Sequence, residues 1–187
     1  MSNKKLLEVL NILETDYPKV KCGLDFTNSL GLTVSLILAA QCTDKRVNYI
    51  APKVFEKYPY VFSLAKANIK DLEKIIYSCG FYKSKAKNIL ATANMLVNTY
   101  GGSVPKTMDE LTTLHGIGRK SANILLQECF NTVIGIAVDT HVTRLSNRIG
   151  FTKSLNPIVI ERDLMKVVPK RLWNHIISVC FSFFDIS

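Results

Sequence analysis

The chain has 187 residues, of which 48% are hydrophobic, and a formal net charge of +9. This length fits one domain or two small ones, with enough apolar side chains for a real core. The charge favours an anionic partner, such as nucleic acid, a membrane surface or an acidic protein. Because no stretch approaches the ~20 apolar residues of a membrane span and the N-terminus lacks a signal-peptide core, we expect a cytoplasmic protein without membrane association.

Cysteine usage points to the same compartment. The five cysteines are scattered and form no CxxC pair, which argues against a disulfide framework and against a zinc site. Buried free thiols in a reducing compartment are the expected state. The positions are Cys22, Cys42, Cys79, Cys129 and Cys180.

The first half of the chain is predicted to be helical. An apolar stripe opens it, formed by Leu6, Leu7, Leu10 and Leu13. Residues 29–40 predict a short, mostly buried helix. Asp44 then resembles the N-cap of another helix, and Pro52 inside that helix predicts a kink or an early end.

Two further helices follow in the middle of the chain. Asn68 is a favourable N-cap, and Gly80 stands where a C-cap glycine is expected. Residues 86–97 carry the cleanest helical stripe, which Gly101 and Gly102 close.

The second half continues the helical pattern. Thr107–Glu110 is a capping-box sequence, and a helix is predicted over about 120–128. Another helix follows Asp139 and ends at Gly150, and the last is predicted from Ile158 to the end of the chain. Alternating strand patterns are missing, so the sequence predicts an all-α protein of about ten short helices.

The segment LHGIGRKSANILL, residues 114–126, predicts a helix–hairpin–helix. Gly116 and Gly118 allow the backbone to approach another surface closely. Cations at a helix N-terminus typically cost ~0.3–1 kcal/mol, yet Arg119 and Lys120 stand there. A phosphate bound by the helix amides offsets that cost. The alternative is a glycine turn that merely joins two packed helices.

Two residues in this half also suggest chemistry. The positive end of a helix and an adjacent arginine disfavour the charged form of a lysine, so Lys120 fits a Schiff-base nucleophile. A solvated or phosphate-contacting lysine is the alternative. Asp139 is first of all a good N-cap, but a rigid carboxylate can also take a proton or offset developing positive charge.

Together these motifs resemble a known family. LHGIGRKSANILL followed by AVDTHVTRLSNR is similar to the helix–hairpin–helix DNA glycosylases with a Gly/Pro-rich loop and an aspartate, and among them to endonuclease III. The resemblance extends through LILAAQCTDKRVN, GFYKSKAKNI and GGSVPKTMDEL, from about residue 11 to about residue 168.

The resemblance implies two all-α domains with a DNA cleft between them. A six-helix bundle would comprise residues 22–133, with its hairpin at about 108–128. Residues 1–21 and 134–187 would form the second helical domain. We expect a monomer of bacterial type that is associated with the nucleoid.

The resemblance also implies base-excision repair of double-stranded DNA. A damaged base, typically an oxidised pyrimidine, is flipped out, and Lys120 attacks the sugar C1′ and displaces it. The imine then permits β-elimination, which nicks the strand at abasic sites, and Asp139 assists. The alternative is a weak or inactive DNA-binding module.

Further DNA contacts are implied by position in the family motifs. Gln41 would fill the gap left by the flipped base. Phe81 is equally a wedge between base steps or a core aromatic. Lys83 and Lys85 would flank it as phosphate contacts or lie on a solvated face, and His141 would face DNA or pack. Gly116, Gly118 and Arg119 would hold the DNA backbone.

One family feature is expected to be missing. Most endonuclease III proteins hold a [4Fe–4S] cluster in a C-terminal loop of four cysteines, and such a cluster needs several thiolates together. This chain has only Cys180 near its end and stops at Ser187. We therefore expect no cluster and no metal ligands, in a protein that is either naturally cluster-free or truncated.

Overall fold

The computed structural model describes residues 22–173 together with Glu8, Ile12, Thr15 and Ile176. Within these residues it has nine α-helices, one 3-10 helix and no strand, which confirms the all-α class. The helices are α1 (Ser29–Ala39), α2 (Asp44–Lys57), α3 (Val61–Ala65), α4 (Ile69–Ile75), α5 (Tyr82–Tyr100), α6 (Met108–Leu111), α7 (Arg119–Phe130), α8 (Thr140–Ile149) and α9 (Pro157–Val167), followed by the 3-10 helix Lys170–Leu172.

The chain divides into two compact units. The bundle unit comprises residues 23–130 and contains α1 to α7. The terminal unit comprises the described residues of 1–22 and 131–187, including α8 and α9. The predicted N-terminal leucine stripe and the end of the chain lie outside the described residues. None of the described helices is both long enough and apolar enough to cross a membrane.

Side-chain caps begin most of these helices. Asn28 accepts a hydrogen bond from the Gly31 N–H at the start of α1, and Asn68 accepts from Lys70 and Asp71 at the start of α4. Such caps satisfy amides that have no acceptor inside the helix. Thr107 caps α6 by accepting from the Glu110 N–H, as its sequence predicts.

The start of α2 differs from the prediction by one residue. Thr43, in an extended conformation, is the N-cap, and its hydroxyl accepts from the Arg46 N–H at 3.4 Å. Asp44 is instead the first helical residue, where its negative charge favours the helix start. Pro52 does not end the helix, which runs on to Lys57 and buries Val54.

Two other predicted helix ends were wrong. Helix α4 ends at Ile75, and Gly80 lies in the turn beyond it with no positive φ. The left-handed residue before α5 is Phe81, with φ of 56°. The last predicted helix does not continue from Ile158 to the end, because α9 stops at Val167, just ahead of Pro169. A proline removes a backbone donor and disfavours a helical residue before it.

Each unit has its own core. In the bundle unit α1 is buried on nearly every side, and α5 packs against α1, α3 and α4. In the terminal unit, α8 and α9 bury one apolar cluster, formed by Ile136, Val138, Val142, Leu145, Ile160, Leu164, Val168, Leu172 and Ile176. These two cores hold rigidly the loops and helix starts on which the candidate site residues stand.

Candidate active site

The predicted hairpin is present between α6 and α7. Its apolar residues Leu111, Leu114 and Ile117 are buried, while Gly116 and Gly118 are exposed at the turn. Gly116 has φ of 83°, a left-handed conformation that costs other residues free energy. The glycine pair therefore faces solvent on a turn whose apolar neighbours fix it to the bundle unit.

Two residues of helix α5, Asn88 and Thr92, contact this turn. The Thr92 hydroxyl, which is buried, donates to the His115 carbonyl at 2.9 Å. A Cβ added to Gly116 would lie 3.0 Å from Asn88 Nδ2 and 3.3 Å from Asn88 Cβ. A Cβ on Gly118 would meet nothing within 4 Å. Gly116 is thus required by the fold of the turn, whereas Gly118 faces open space.

Helix α7 begins directly after the turn. The Gly118 carbonyl accepts the Ala122 N–H at 2.9 Å, which is the first hydrogen bond of the helix. The residue that precedes the helix is therefore a glycine, which has no side chain to cover the first amides. The amides of a first turn have no acceptor within the helix and carry partial positive charge. Arg119 is exposed and Lys120 is half-buried at this end. This is a favourable place for an anion.

Asp139 stands at the start of α8 in the terminal unit. Its Oδ1 accepts the Val142 N–H at 2.8 Å, so the predicted capping role is confirmed. The preceding residues Ile136 and Val138 are buried, which fixes the backbone that carries the carboxylate. Asp139 is half-buried, as is His141 two residues later.

An open pocket of about 680 Å³ adjoins Asp139. It is lined by Thr143, Asn147 and Leu155 and by two exposed arginines, Arg144 and Arg148. Sequence reasoning missed these arginines. Their spacing of four residues places both on one face of α8. The sequence THVTRLSNR could therefore have predicted a basic helix face.

Gln41 and Phe81 share an unusual backbone conformation. Both are exposed, and their φ angles are 52° and 56°. Phe81 is 68% exposed, which rules out the core alternative. Non-glycine residues held in this region typically cost ~1–3 kcal/mol and persist only where their surroundings impose it. The two turns that carry them adjoin, since a Cβ on Gly80 would lie 3.5 Å from the Gln41 carbonyl oxygen.

The two predicted phosphate lysines of α5 differ completely. Lys83 is exposed, with its ammonium 6.0 Å from the centre of the Tyr82 ring. Lys85 is only 3% exposed, and its ammonium donates to the Leu38 carbonyl at 2.8 Å. The predicted phosphate contact of Lys85 is therefore wrong, and so is the solvated alternative. Residues two apart on a helix do not share a face, so Lys83 and Lys85 point in different directions.

The described cysteines do not fit an iron–sulfur cluster. Cys79 is buried, and this burial, together with the neighbouring Cys42 thiol, raises the pKa of Cys79 to about 11. A cluster needs several thiolates brought together. Residues 22–173, with the few others described, contain no group of three or more Cys, His, Asp or Glu side chains that could hold a metal. Cys180 lies outside the described residues.

Comparison with known proteins gives one consistent result. Residues 34–170 match the family model of the HhH-GPD superfamily base excision DNA repair proteins. The chain is 45% identical to endonuclease III of Synechocystis sp. over 94% of its length and 81% of that protein. It is 39% identical to endonuclease III of Bacillus subtilis over 93% of its length and 80% of that protein.

A solved structure gives the same answer for the fold. The structure of a trapped endonuclease III–DNA covalent intermediate superposes with a TM-score of 0.91 at 36% identity, covering 98% of this chain and 86% of that one. The family model and the endonuclease III relatives extend over most of the chain. The chain therefore belongs to the HhH-GPD superfamily of base excision DNA repair proteins, as an endonuclease III-like enzyme.

Proposed function

We propose that this DNA glycosylase and abasic-site lyase acts through Lys120 as nucleophile and Asp139 as its carboxylate partner. The observation that carries the proposal is the position of Lys120, half-buried in the first turn of α7 directly behind the glycine turn. A backbone phosphate held by the turn would place the adjoining sugar near that amine. The endonuclease III relatives support this chemistry.

The proposed reaction has two steps. The Lys120 amine attacks C1′, the bond from C1′ to the base breaks, and the base leaves with the proton that the amine nitrogen gives up. The C1′–O4′ bond of the aminal then breaks, and O4′ takes a proton, which opens the sugar ring to the imine. The resulting imine acidifies the C2′ hydrogens, so loss of one C2′ proton expels the 3′ phosphate and nicks the strand. Asp139 accepts a proton or offsets positive charge that develops at the sugar. Its cap to Val142 holds the carboxylate in one orientation.

The DNA is held by groups with different tasks. Gly116, Gly118 and Arg119 bind backbone phosphates, and exposed Lys83 adds a further cation. Gln41 enters the gap left by the flipped base, and Phe81 parts the neighbouring base step. His141 faces the DNA near Asp139. We propose that oxidised pyrimidines are the substrates and that the enzyme acts as a monomer.

One experiment tests the activity directly. The protein is incubated with a duplex that carries an abasic site, in the presence of borohydride, which reduces an imine to a stable amine. We expect a covalent protein–DNA adduct that survives denaturing electrophoresis. A mobility shift without an adduct would instead favour the binding-only module. If the protein gave no adduct and no mobility shift, DNA repair by this chain would be refuted.

The two glycines of the turn give a matched pair of variants. Gly116→Ala forces a side chain into a left-handed position beside Asn88, so we expect a lower melting temperature and weaker DNA binding. Gly118→Ala meets open space in the protein, so we expect unchanged stability and weaker binding to duplexes of every sequence. Thermal melts and fluorescence-anisotropy titrations with two unrelated duplexes measure both effects. Full binding by Gly118→Ala would show that DNA does not approach the turn closely.

We also propose that catalysis proceeds without an iron–sulfur cluster. Lys120 stands on α7, which buries Ala122, Leu125 and Leu126, and Asp139 caps α8, which packs into the apolar cluster of the terminal unit. We expect the purified protein to be colourless, with no stoichiometric iron by metal analysis and with borohydride trapping that a chelator does not change. Bound iron and sulfide would contradict this proposal.

A further inference from the structure

The turns that carry Gln41 and Phe81 are joined beneath the surface. We call residues 40–43 the Gln41 turn and residues 76–81 the Phe81 turn. The thiols of Cys42 and Cys79, one from each turn, are neighbours, and Cys42 helps to raise the pKa of Cys79. Together with the approach of Gly80 to the Gln41 carbonyl, this contact makes the two turns one surface.

Lys85 bonds to both sides of that surface. Its N–H donates to the Phe81 carbonyl at 3.0 Å, in the first turn of α5. Its ammonium donates to the Leu38 carbonyl at 2.8 Å, three residues before Gln41. Lys85 thus connects two segments: its backbone bonds to the left-handed Phe81, and its side chain bonds to the end of α1.

Burying the positive charge of Lys85 costs free energy, and the structure compensates this cost only in part. Burial lowers the pKa of the Lys85 ammonium, against the opposing influence of Cys42 and Cys79. Within the described part of the chain this ammonium bonds a carbonyl and forms no ion pair. The last carbonyls of a helix lack intrahelical donors and carry partial negative charge, so the C-terminus of α1 compensates the cation in part. A methionine would fill the same space without a buried charge.

We propose that Lys85 is a positioning residue that holds the Gln41 and Phe81 turns in the arrangement that enters the DNA duplex. The inference rests on the proposed roles of Gln41 and Phe81 and adds a residue beneath them that touches no DNA. Lys85 therefore governs extrusion of the damaged nucleotide, and the bond-breaking step at Lys120 proceeds normally once the nucleotide is out.

The test compares Lys85→Met with Lys87→Met, a control that removes an exposed lysine from the same helix. A duplex carries an oxidised pyrimidine opposite 2-aminopurine, whose fluorescence rises when it is unstacked. We expect Lys85→Met to slow the fluorescence rise and single-turnover base release together, by about tenfold, as for the loss of a hydrogen bond to a charged group. The final yield of borohydride adduct stays at the wild-type level, and Lys87→Met behaves as wild type throughout.

Several outcomes would overturn the proposal. Unchanged fluorescence with slow base release would place Lys85 in the chemistry, and wild-type rates for both would remove it from the mechanism. Lys85→Arg keeps a donor, so an equal loss in Lys85→Arg and Lys85→Met, at a temperature where melts show both folded, would indicate packing alone. If the wild type forms no adduct, the proposed nucleophile fails, yet the fluorescence rise still reports whether Lys85 controls insertion.

Discussion

Lys120→Ala is expected to form no borohydride-trapped adduct with an abasic duplex, while it still binds that duplex. Without the amine no imine can form, so the lyase rate should fall by a factor on the order of 10³ or more, as when other covalent enzymes lose their nucleophile. Alanine is the best helix former, and Lys120 is only partly buried in α7. The fold and the exposed Arg119 are therefore expected to be retained.

The measurement pairs trapping with binding. Denaturing electrophoresis after borohydride treatment gives the adduct, and anisotropy gives the affinity for the abasic duplex. Lys87→Ala, which removes an exposed lysine from α5, is the matched control and should trap as wild type does. Normal trapping by Lys120→Ala would place the nucleophile elsewhere in the chain.

Asp139→Asn separates the charge of this residue from its role as a cap. Asparagine and aspartate cap helices about equally well, so the Val142 N–H keeps its acceptor and α8 its start. Positioned acid–base groups contribute typically ~10²–10⁴ in rate. We expect single-turnover base release to fall within that range, with little change in the melting temperature.

A second substitution at the same position completes the comparison. Asp139→Ala loses both the charge and the cap, and loss of a cap costs ~1 kcal/mol, so this variant should be less stable as well as slow. Melts and single-turnover kinetics are measured on all three proteins. If Asp139→Asn were destabilised while its folded fraction released base normally, Asp139 would have only a structural role.

Local signals predicted much of this structure. The caps at Asn68, Thr107 and Asp139 were predictable because a cap depends on a side chain and amides two or three residues away. The hairpin was predictable for a similar reason, since Gly116 adopts a conformation that favours glycine. Lys120 and Asp139 were predicted as nucleophile and carboxylate because each stands at a helix start, in a motif that resembles the family.

Other features depend on distant contacts and were not predictable. Lys85 lies in a cationic run and was expected at the surface, yet its ammonium bonds Leu38, a residue 47 positions away. Gly80 was predicted to be a C-cap, but the left-handed residue is Phe81, in a turn that adjoins the distant Gln41 turn. In both cases tertiary packing decided the outcome, and the sequence around the residue carries no sign of the partner.

Helix α5 acts as a fixed spacer between two places where the protein is proposed to grip DNA. Phe81 stands at its start, and Thr92, which holds the hairpin at His115, comes eleven positions later. At about 1.5 Å per residue these points are about 16 Å apart along the helix axis. In the proposed complex the length of α5 therefore sets how far the Phe81 turn lies from the hairpin, and one inserted residue would turn one of them by about 100° relative to the other.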